Sequence, residues 1–133
     1  MVELAISLPL LILAAAGIFE FGYTFFVYQS LVNSARNGAR YGSVADYDSP
    51  DGATFEAAIK NVAVYGSTAP AGDAKPLAPG LSWANIAVTV DKDGAGVPTR
   101  LTVGIVNYNV DAVWRTYTFN KPRTTFTYQG QFR

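Results

Sequence analysis

The chain has 133 residues, a formal net charge of +0, and neither cysteine nor histidine. Balanced charge excludes the basic surface of a nucleic-acid-binding protein, so we expect no nucleic-acid partner. Without cysteine and histidine the chain has no disulfides, no thiol chemistry and no Ser-His-Asp triad, and any metal site would need oxygen ligands. We therefore predict a protein that is not an enzyme and uses no cofactor.

Residues 1–28 form a nearly continuous apolar run whose only charged side chains are Glu3 and Glu20. As a helix, the stretch from Leu4 to Val27 would extend roughly 36 Å, enough to cross a hydrocarbon core of about 30 Å. We therefore expect residues 1–28 to be a separate assembly or transmembrane element, placed in lipid or among other copies of the chain.

A secretory signal peptide is the rival interpretation of this run, but it needs a basic n-region and a short apolar core. No lysine or arginine precedes Arg36, and the run is too long. A helix with its N-terminus in the cytoplasm should carry basic residues on that side. We expect that a basic leader preceded Met1 and was removed.

Helical signal continues beyond the apolar run, which predicts one helix of about 60 Å from about Glu3 to Val44. Pro9 should kink or locally loosen it, because proline removes a backbone hydrogen bond. Residues 29–45 begin a head that spans residues 29–133 and packs on one helix face. The residues at helical spacing on this face are Leu31, Ala35, Ala39 and Gly42.

Turn-forming residues from Asp46 to Gly52 end the long helix, and a short helix is predicted over residues 53–66. Thr54 is a plausible N-cap and Gly66 a plausible C-terminal stop. The apolar face of this helix would comprise Phe55, Ala58, Ile59 and Val62. Residues 67–82, rich in proline and glycine, are predicted to form a surface loop.

Antiparallel strands are predicted over residues 83–133. Residues 86–90 and 101–105 alternate with a period of two around an Asp-Gly-rich turn, which predicts a β-hairpin. A last strand is expected to run through Phe126 to the C-terminus, whereas residues 111–120 are ambiguous between a bent strand and a loop. The sequence therefore predicts an α+β fold: a long N-terminal helix, a short helix and a small antiparallel sheet.

Two carboxylates stand out in the apolar run, because an ionisable group in an apolar helix is costly. Glu20 either marks a membrane interface, close to a cluster of aromatic residues, or meets a specific partner in an assembled core. Glu3 either binds the α-ammonium group of a neighbouring subunit or occupies a favourable position in the helix dipole.

Small residues at a spacing of four, Gly38 and Gly42, lie on nearly the same face as Ala35 and Ala39. Such a face lets a second helix or a sheet approach closely. The contact could be between chains, or it could be plain packing against the chain's own head. Both alternatives stay open at this point.

Aspartates in the predicted turns resemble a calcium loop only loosely. The first group is Asp46, Asp48, Asp51 and Gly52, where Pro50 takes an expected ligand position and position 57 is Ala instead of Glu. Asp91 and Asp93 are better explained as hairpin-turn residues. Trp114 and Tyr117 could belong to a contact patch or to the core.

The N-terminal third resembles the TadE-like pilins and pseudopilins of the tight-adherence (Flp, type IVc) branch of type IV pili. The resemblance covers roughly residues 2–43, and the later part of the chain matches only in style. The matching elements are a Val-Glu pair (Val2, Glu3), a Leu-Pro step (Leu8, Pro9), a Glu-Phe-Gly triplet (Glu20, Phe21, Gly22) and an Asn-x-Ala-Arg-x-Gly-Ala-Arg-Tyr stretch (Asn33, Ala35, Arg36, Gly38, Ala39, Arg40, Tyr41).

This resemblance implies a prepilin that is cut by a prepilin peptidase, held in the inner membrane beside an assembly platform, and then assembled through its N-terminal helix. In type IV pilins a glutamate, usually at the fifth mature position, neutralises the terminal amine of an adjacent subunit; Glu3 matches that role. Either Met1 is not the mature start, or the spacing differs. Assembly would use Met1, Glu3, Pro9, Glu20, Phe21 and Gly22, and helix packing Ala35, Gly38, Ala39 and Gly42.

We therefore predict a structural pilin subunit of a bacterial surface filament that serves adhesion, with identical subunits as its partners and a bilayer as its environment before assembly. The alternative is a single-pass membrane-anchored adaptor or minor pseudopilin that does not polymerise. Both hypotheses place the apolar helix in a hydrophobic environment. In the first this environment is other subunits, and in the second it is lipid.

Overall fold

A computed structural model describes residues 2–47, 52–112 and 114–131. Its longest element is helix α1, Val2–Val44, which has 43 residues and would extend about 65 Å. The helix continues through Pro9. The burial of α1 changes sharply along its length: residues 2–26 are exposed or partly exposed, and Val27 is the first buried residue.

Helix α2, Ala53–Tyr65, packs across the second half of α1. Phe55, Ile59 and Val62 are buried, as the apolar spacing predicts. The C-terminal stop at Gly66 is also confirmed: its φ is 76° and its N–H donates a 2.9 Å hydrogen bond to the Val62 carbonyl oxygen. This is the left-handed residue that ends many helices.

The prediction that Thr54 caps α2 is wrong. The helix begins at Ala53, and the cap position is Gly52, which has a φ of 59°. A Cβ atom on residue 52 would lie 2.7 Å from the hydroxyl oxygen of Tyr47. Residue 52 must therefore be glycine, because the Tyr47 ring approaches closely and the backbone is left-handed. Since Gly52 is the cap, Thr54 lies inside the first turn.

Three antiparallel strands form the main sheet, in the order β1 (Ile86–Lys92), β2 (Pro98–Ile105), β5 (Arg123–Thr127). The predicted hairpin is confirmed, with Val88 opposite Val103 in the β1–β2 register. Central strand β2 supplies the buried Leu101, Val103 and Ile105. Helices α1 and α2 cover this face of the sheet, so the α+β architecture is confirmed.

A separate two-stranded ribbon occupies most of the segment that the sequence left ambiguous. Strand β3, Tyr108–Asp111, pairs with strand β4, Thr116–Phe119. Side-chain bonds support the pairing: the Thr118 hydroxyl bonds Asn109 Oδ1 at 2.8 Å and the Thr116 hydroxyl bonds Asp111 Oδ1 at 2.9 Å. We call β3, β4 and the described residues between them the β3–β4 ribbon.

The final strand is shorter than predicted, because β5 ends at Thr127. Beyond it the chain turns toward the end of α1: the Gln129 N–H donates to the Ser43 carbonyl oxygen at 2.7 Å, and the Tyr128 hydroxyl bonds the Ala45 carbonyl oxygen at 2.8 Å. The Tyr128 N–H still bonds the Thr99 carbonyl oxygen of β2 at 3.0 Å, so the chain leaves the sheet at residue 129. Phe132, which the predicted strand would include, lies outside the described residues.

The segment 67–82 is more than a surface loop. Ala78 and Leu81 are fully buried and join the core, and the Leu77 N–H donates a 2.7 Å hydrogen bond to the Val64 carbonyl oxygen. A short 3₁₀ turn, Trp83–Asn85, then leads into β1. The loop therefore closes one end of the core.

Candidate functional site

The N-terminal part of α1 is apolar on all sides and lies bare in the single chain. By length and composition it is able to cross a membrane. We call residues 2–26 the bare segment. Contiguous exposed apolar surface of this extent marks a membrane or protein contact. Its large exposed side chains are Val2, Leu4, Ile6, Leu8, Leu10, Leu11, Ile12, Leu13, Ile18, Phe19, Phe21, Tyr23, Phe25 and Phe26.

The small residues of the second half of α1 lie against the chain's own head. Ala35, Gly38, Ala39 and Gly42 are all buried. A Cβ atom on residue 38 would lie 2.9 Å from the Cβ of Ala63 in α2, and one on residue 42 would overlap the side chains of Leu101 and Ile59. The stripe therefore serves close packing of α1 on α2 and β2 within one chain.

A buried polar bond reinforces this helix contact. The hydroxyl of Ser34, which is fully buried, donates a 2.5 Å hydrogen bond to the Ala63 carbonyl oxygen in the last turn of α2. Carbonyl groups in the last turn of a helix lack intrahelical donors. Ser34 thus satisfies one of them and fixes the position of α2 along α1.

Glu20 lies in a groove between α1 and the β3–β4 ribbon. The groove has a volume of about 560 Å³. Its α1 side consists of Gly17, Glu20, Phe21 and Thr24, and its ribbon side of Trp114, Arg115, Tyr117 and Phe119. One face of α1 therefore continues from the head into the bare segment, where the ribbon lies beside it.

Within the groove Glu20 has a long hydrogen bond, in which the Tyr117 hydroxyl donates to Oε1 at 3.4 Å. The Thr24 hydroxyl, one turn further along, is buried and has no hydrogen-bond partner among the described residues. Phe119 packs on Tyr28 with ring centroids 6.0 Å apart. The groove therefore combines the polar side chains of Glu20, Thr24 and Arg115 with several aromatic rings.

Of the other predicted assembly residues, Phe21 lines this groove, whereas Glu3, Pro9 and Gly22 are not among its lining residues. Glu3 is exposed in the first turn of α1, Pro9 is exposed on the bare segment, and Gly22 has open space where a Cβ would stand. Phe21 is 75% exposed and stacks on Phe25 at 6.5 Å. Met1 lies outside the described residues.

The turn aspartates divide into two groups. Asp93 stabilises its own hairpin turn, because its Oδ1 accepts hydrogen bonds from the N–H groups of Ala95 and Val97, both at 2.9 Å. Asp48 and Asp51 of the other group lie outside the described residues. Across residues 2–47, 52–112 and 114–131 no cluster of metal-ligating side chains is found.

Two tyrosines of the head have shifted acidity. Burial raises the pKa of Tyr108, whose hydroxyl donates a hydrogen bond to the Pro79 carbonyl oxygen. Burial also raises the pKa of Tyr128, whose hydroxyl lies 2.8 Å from the Ala45 carbonyl oxygen and 3.0 Å from that of Gln131. Both hydroxyl groups therefore hydrogen-bond segments of irregular backbone that pack on the core.

Sequence reasoning missed the groove because it depends on a contact between residues far apart in the chain. Two signals were present in the sequence. Glu20 and Thr24 are four residues apart, which places them on one helix face. Residues 116–119 alternate threonine with an aromatic residue, which indicates a strand with one polar and one apolar face.

The sequence model of one family, described as TadE-like protein, matches residues 1–40. The matched part is most of α1, including the bare segment and the start of its packing stripe. The resemblance inferred from the N-terminal motifs is thereby confirmed. Comparison with curated proteins gives no match, and comparison with solved structures gives none either.

Proposed function

We propose that this chain, whose residues 1–40 match the TadE-like family, is a structural pilin subunit of a tight-adherence pilus. The match supports a pilus-associated component of the cell envelope with an apolar N-terminal helix. The finer proposal is that the bare segments of identical subunits bundle into the core of a filament, and that the heads form its outer wall and serve adhesion.

The observation that carries this proposal is the contrast in burial along α1. The bare segment exposes large side chains all round, for example Leu10 at 69% and Ile18 at 75%. Burial of each such side chain contributes about 1.5 to 3 kcal/mol. A helix with no polar face reaches this burial only when it is surrounded on every side, which a bundle of like helices provides.

Before assembly the same segment would lie in a bilayer. We propose that the inner membrane holds this pool, with the assembly platform and a prepilin peptidase as partners. Glu3 would then meet the α-ammonium group of a neighbouring subunit once the helices bundle, because a buried carboxylate needs a cationic partner. The family resemblance suggests this role, and the exposed position of Glu3 leaves it accessible.

A second candidate is a membrane-anchored adaptor that does not polymerise. It is favoured by the length of the bare segment, which matches a single bilayer crossing. In that case lipid is the permanent environment of the helix, and the head works alone. The two candidates predict different states of the same purified chain.

The test is electron microscopy of the full chain extracted from membranes, followed by removal of detergent. Fibres support the pilin, whereas monomers in detergent and single inserted chains after reconstitution support the adaptor. Ile12→Asn changes the bare segment at a residue that is 61% exposed and should abolish fibres. Asn37→Asp, at an exposed position beside the head on the same helix, is the matched control and should leave fibres intact.

A further inference from the structure

The β3–β4 ribbon contacts α1 at the point where a membrane-spanning segment would end. Phe21 lies about 28 Å along the helix from Val2, at about 1.5 Å per residue, close to the thickness of the hydrocarbon core. The ribbon reaches this level, since Trp114 and Arg115 line one groove with Gly17 and Phe21. When the bare segment spans a bilayer, the groove therefore lies at the level of the lipid head groups.

The aromatic side chains at this level have the character of an interfacial belt. Trp114 is 65% exposed and Tyr117 is 38% exposed, although both belong to the head. Trp and Tyr concentrate at membrane–water interfaces because each combines an apolar ring with a polar atom. On the α1 side, Phe21 continues the same aromatic surface.

Charged groups on this side of the head fit phospholipid head groups. Arg115 lines the groove, and Lys121 and Arg123 line a neighbouring concavity beside Tyr28. Long cationic side chains extend to lipid phosphates while their stems stay in apolar surroundings. Two carboxylates belong to these elements: Glu20 of α1, which accepts from the Tyr117 hydroxyl, and Asp111 of β3, which accepts from the Thr116 hydroxyl.

We propose that the β3–β4 ribbon is a membrane-interface anchor that sets the insertion depth of α1. Trp114 and Arg115 lie among the phospholipid head groups, and Tyr117 covers Glu20 so that this carboxylate does not face hydrocarbon. This role rests on the membrane-inserted stage of the proposed function, and it holds whether or not the chain later polymerises.

A bilayer fits the groove better than the apolar helix of a second copy does. Such a helix would bury both the Arg115 guanidinium and the Glu20 carboxylate without supplying either with a new partner. Burial of unpaired charge is strongly unfavourable. Lipid head groups instead supply phosphate to Arg115 and water to Glu20, and they accept the exposed Trp114 ring.

The chain contains two tryptophans, which makes each a separate fluorescence reporter. Trp83→Phe leaves Trp114 as the only tryptophan, and Trp114→Phe leaves Trp83, which lies on the 3₁₀ turn and bonds Asn61 at 3.1 Å. Each full-length variant is reconstituted into phosphatidylcholine vesicles that carry bromine near the head groups or near the bilayer centre. Leu11→Trp, added to a chain lacking both native tryptophans, reports insertion of the helix.

We expect shallow bromines to remove about half of the Trp114 emission, with weaker quenching by deep bromines and little quenching of Trp83. Leu11→Trp should be quenched most by deep bromines. If Leu11→Trp is quenched and Trp114 is not, the helix inserts but the ribbon is no anchor. If Leu11→Trp is not quenched either, the membrane stage itself fails. A third outcome is that Trp114 is not quenched but its emission shifts when the protein is diluted in lipid. This result would place a second copy in the groove and contradict the proposed anchor.

Discussion

The two halves of α1 have the same secondary structure but opposite surroundings. Gly17 and Gly22 in the first half have open space where a Cβ would stand, whereas Gly38 and Gly42 in the second half have none. Val27 is the first residue along the helix that the head buries. Glycine therefore has a packing role in the second half, and any such role in the first half needs a partner outside the chain.

This difference shows that one helix joins two hydrophobic units of different kinds. The second half belongs to the core of the head, where α2 and β2 close around it. Among the described residues no core forms around the first half, so its free energy depends on lipid or on other subunits.

The largest effect should come from deletion of the bare segment. A chain that begins at Val27 keeps this residue and Leu31, which are 1% and 0% exposed. We expect a soluble, folded monomer, measured by size-exclusion chromatography and by urea unfolding. A chain that begins at Ser34 is the matched control: it also loses those two core side chains and should be less stable by more than about 3 kcal/mol. A head starting at Val27 that still polymerised would contradict the division of α1.

Gly42→Ala should destabilise the head by about 1 to 3 kcal/mol, because the new methyl group would overlap the side chains of Leu101 and Ile59. Gly22→Ala is the matched control on the same helix, and it should leave the unfolding free energy of the head unchanged. Urea unfolding of both variants in detergent measures the difference. Equal effects would mean that the second half of α1 is not packed as described.

The fold could be predicted where the signal is local. The alternation of Val88 and Val90 fixed the hairpin, and Gly66 marked the end of α2. The α1–α2 contact was one of two open alternatives for the small-residue stripe, since close packing within a chain and between chains requires the same residues.

The errors share a physical cause, which is competition from distant groups. Thr54 has the chemistry of a cap, but the Tyr47 ring beside Gly52 determines where α2 begins. After β5 the backbone leaves the sheet at residue 129, whose N–H bonds the Ser43 carbonyl oxygen at the end of α1. The groove at Glu20 arises only when the ribbon folds onto a helix whose contact residues are more than 90 positions away, as in the Glu20–Tyr117 pair separated by 97.

Ser34→Ala should cost about 1 to 2 kcal/mol, because it leaves the buried Ala63 carbonyl oxygen without its donor. Ser30→Ala is the control: the Ser30 hydroxyl bonds the Phe26 carbonyl oxygen of its own helix at 3.0 Å and makes no bond to α2. Thermal unfolding of the two variants separates a contact between helices from a local one. If Ser30→Ala lost as much stability as Ser34→Ala, the bond from Ser34 to α2 would have no special contribution to stability.

The smallest effect should be a loss of head stability at alkaline pH. The pKa values of Tyr108 and Tyr128 are raised in the folded state, so their contribution is complete below the unfolded value of about 10. It is lost as the pH rises through the folded values, because the phenolates form more readily in the unfolded chain. Tyr128→Phe should be less stable than the native chain at neutral pH, and the difference should narrow at alkaline pH. Urea unfolding across this pH range measures the difference in unfolding free energy between the two chains. A difference that grew with pH would contradict the predicted direction of the pH dependence.

The proposed filament places identical helices around the bare segment. Since the chain has no cysteine, Ile12→Cys and Asn37→Cys each introduce a single thiol. In purified fibres, we expect a water-soluble maleimide to label Asn37→Cys and to leave Ile12→Cys unlabelled until the fibres are dissolved in detergent. Rapid labelling of Ile12→Cys within intact fibres would place the bare segment in water and contradict the claim.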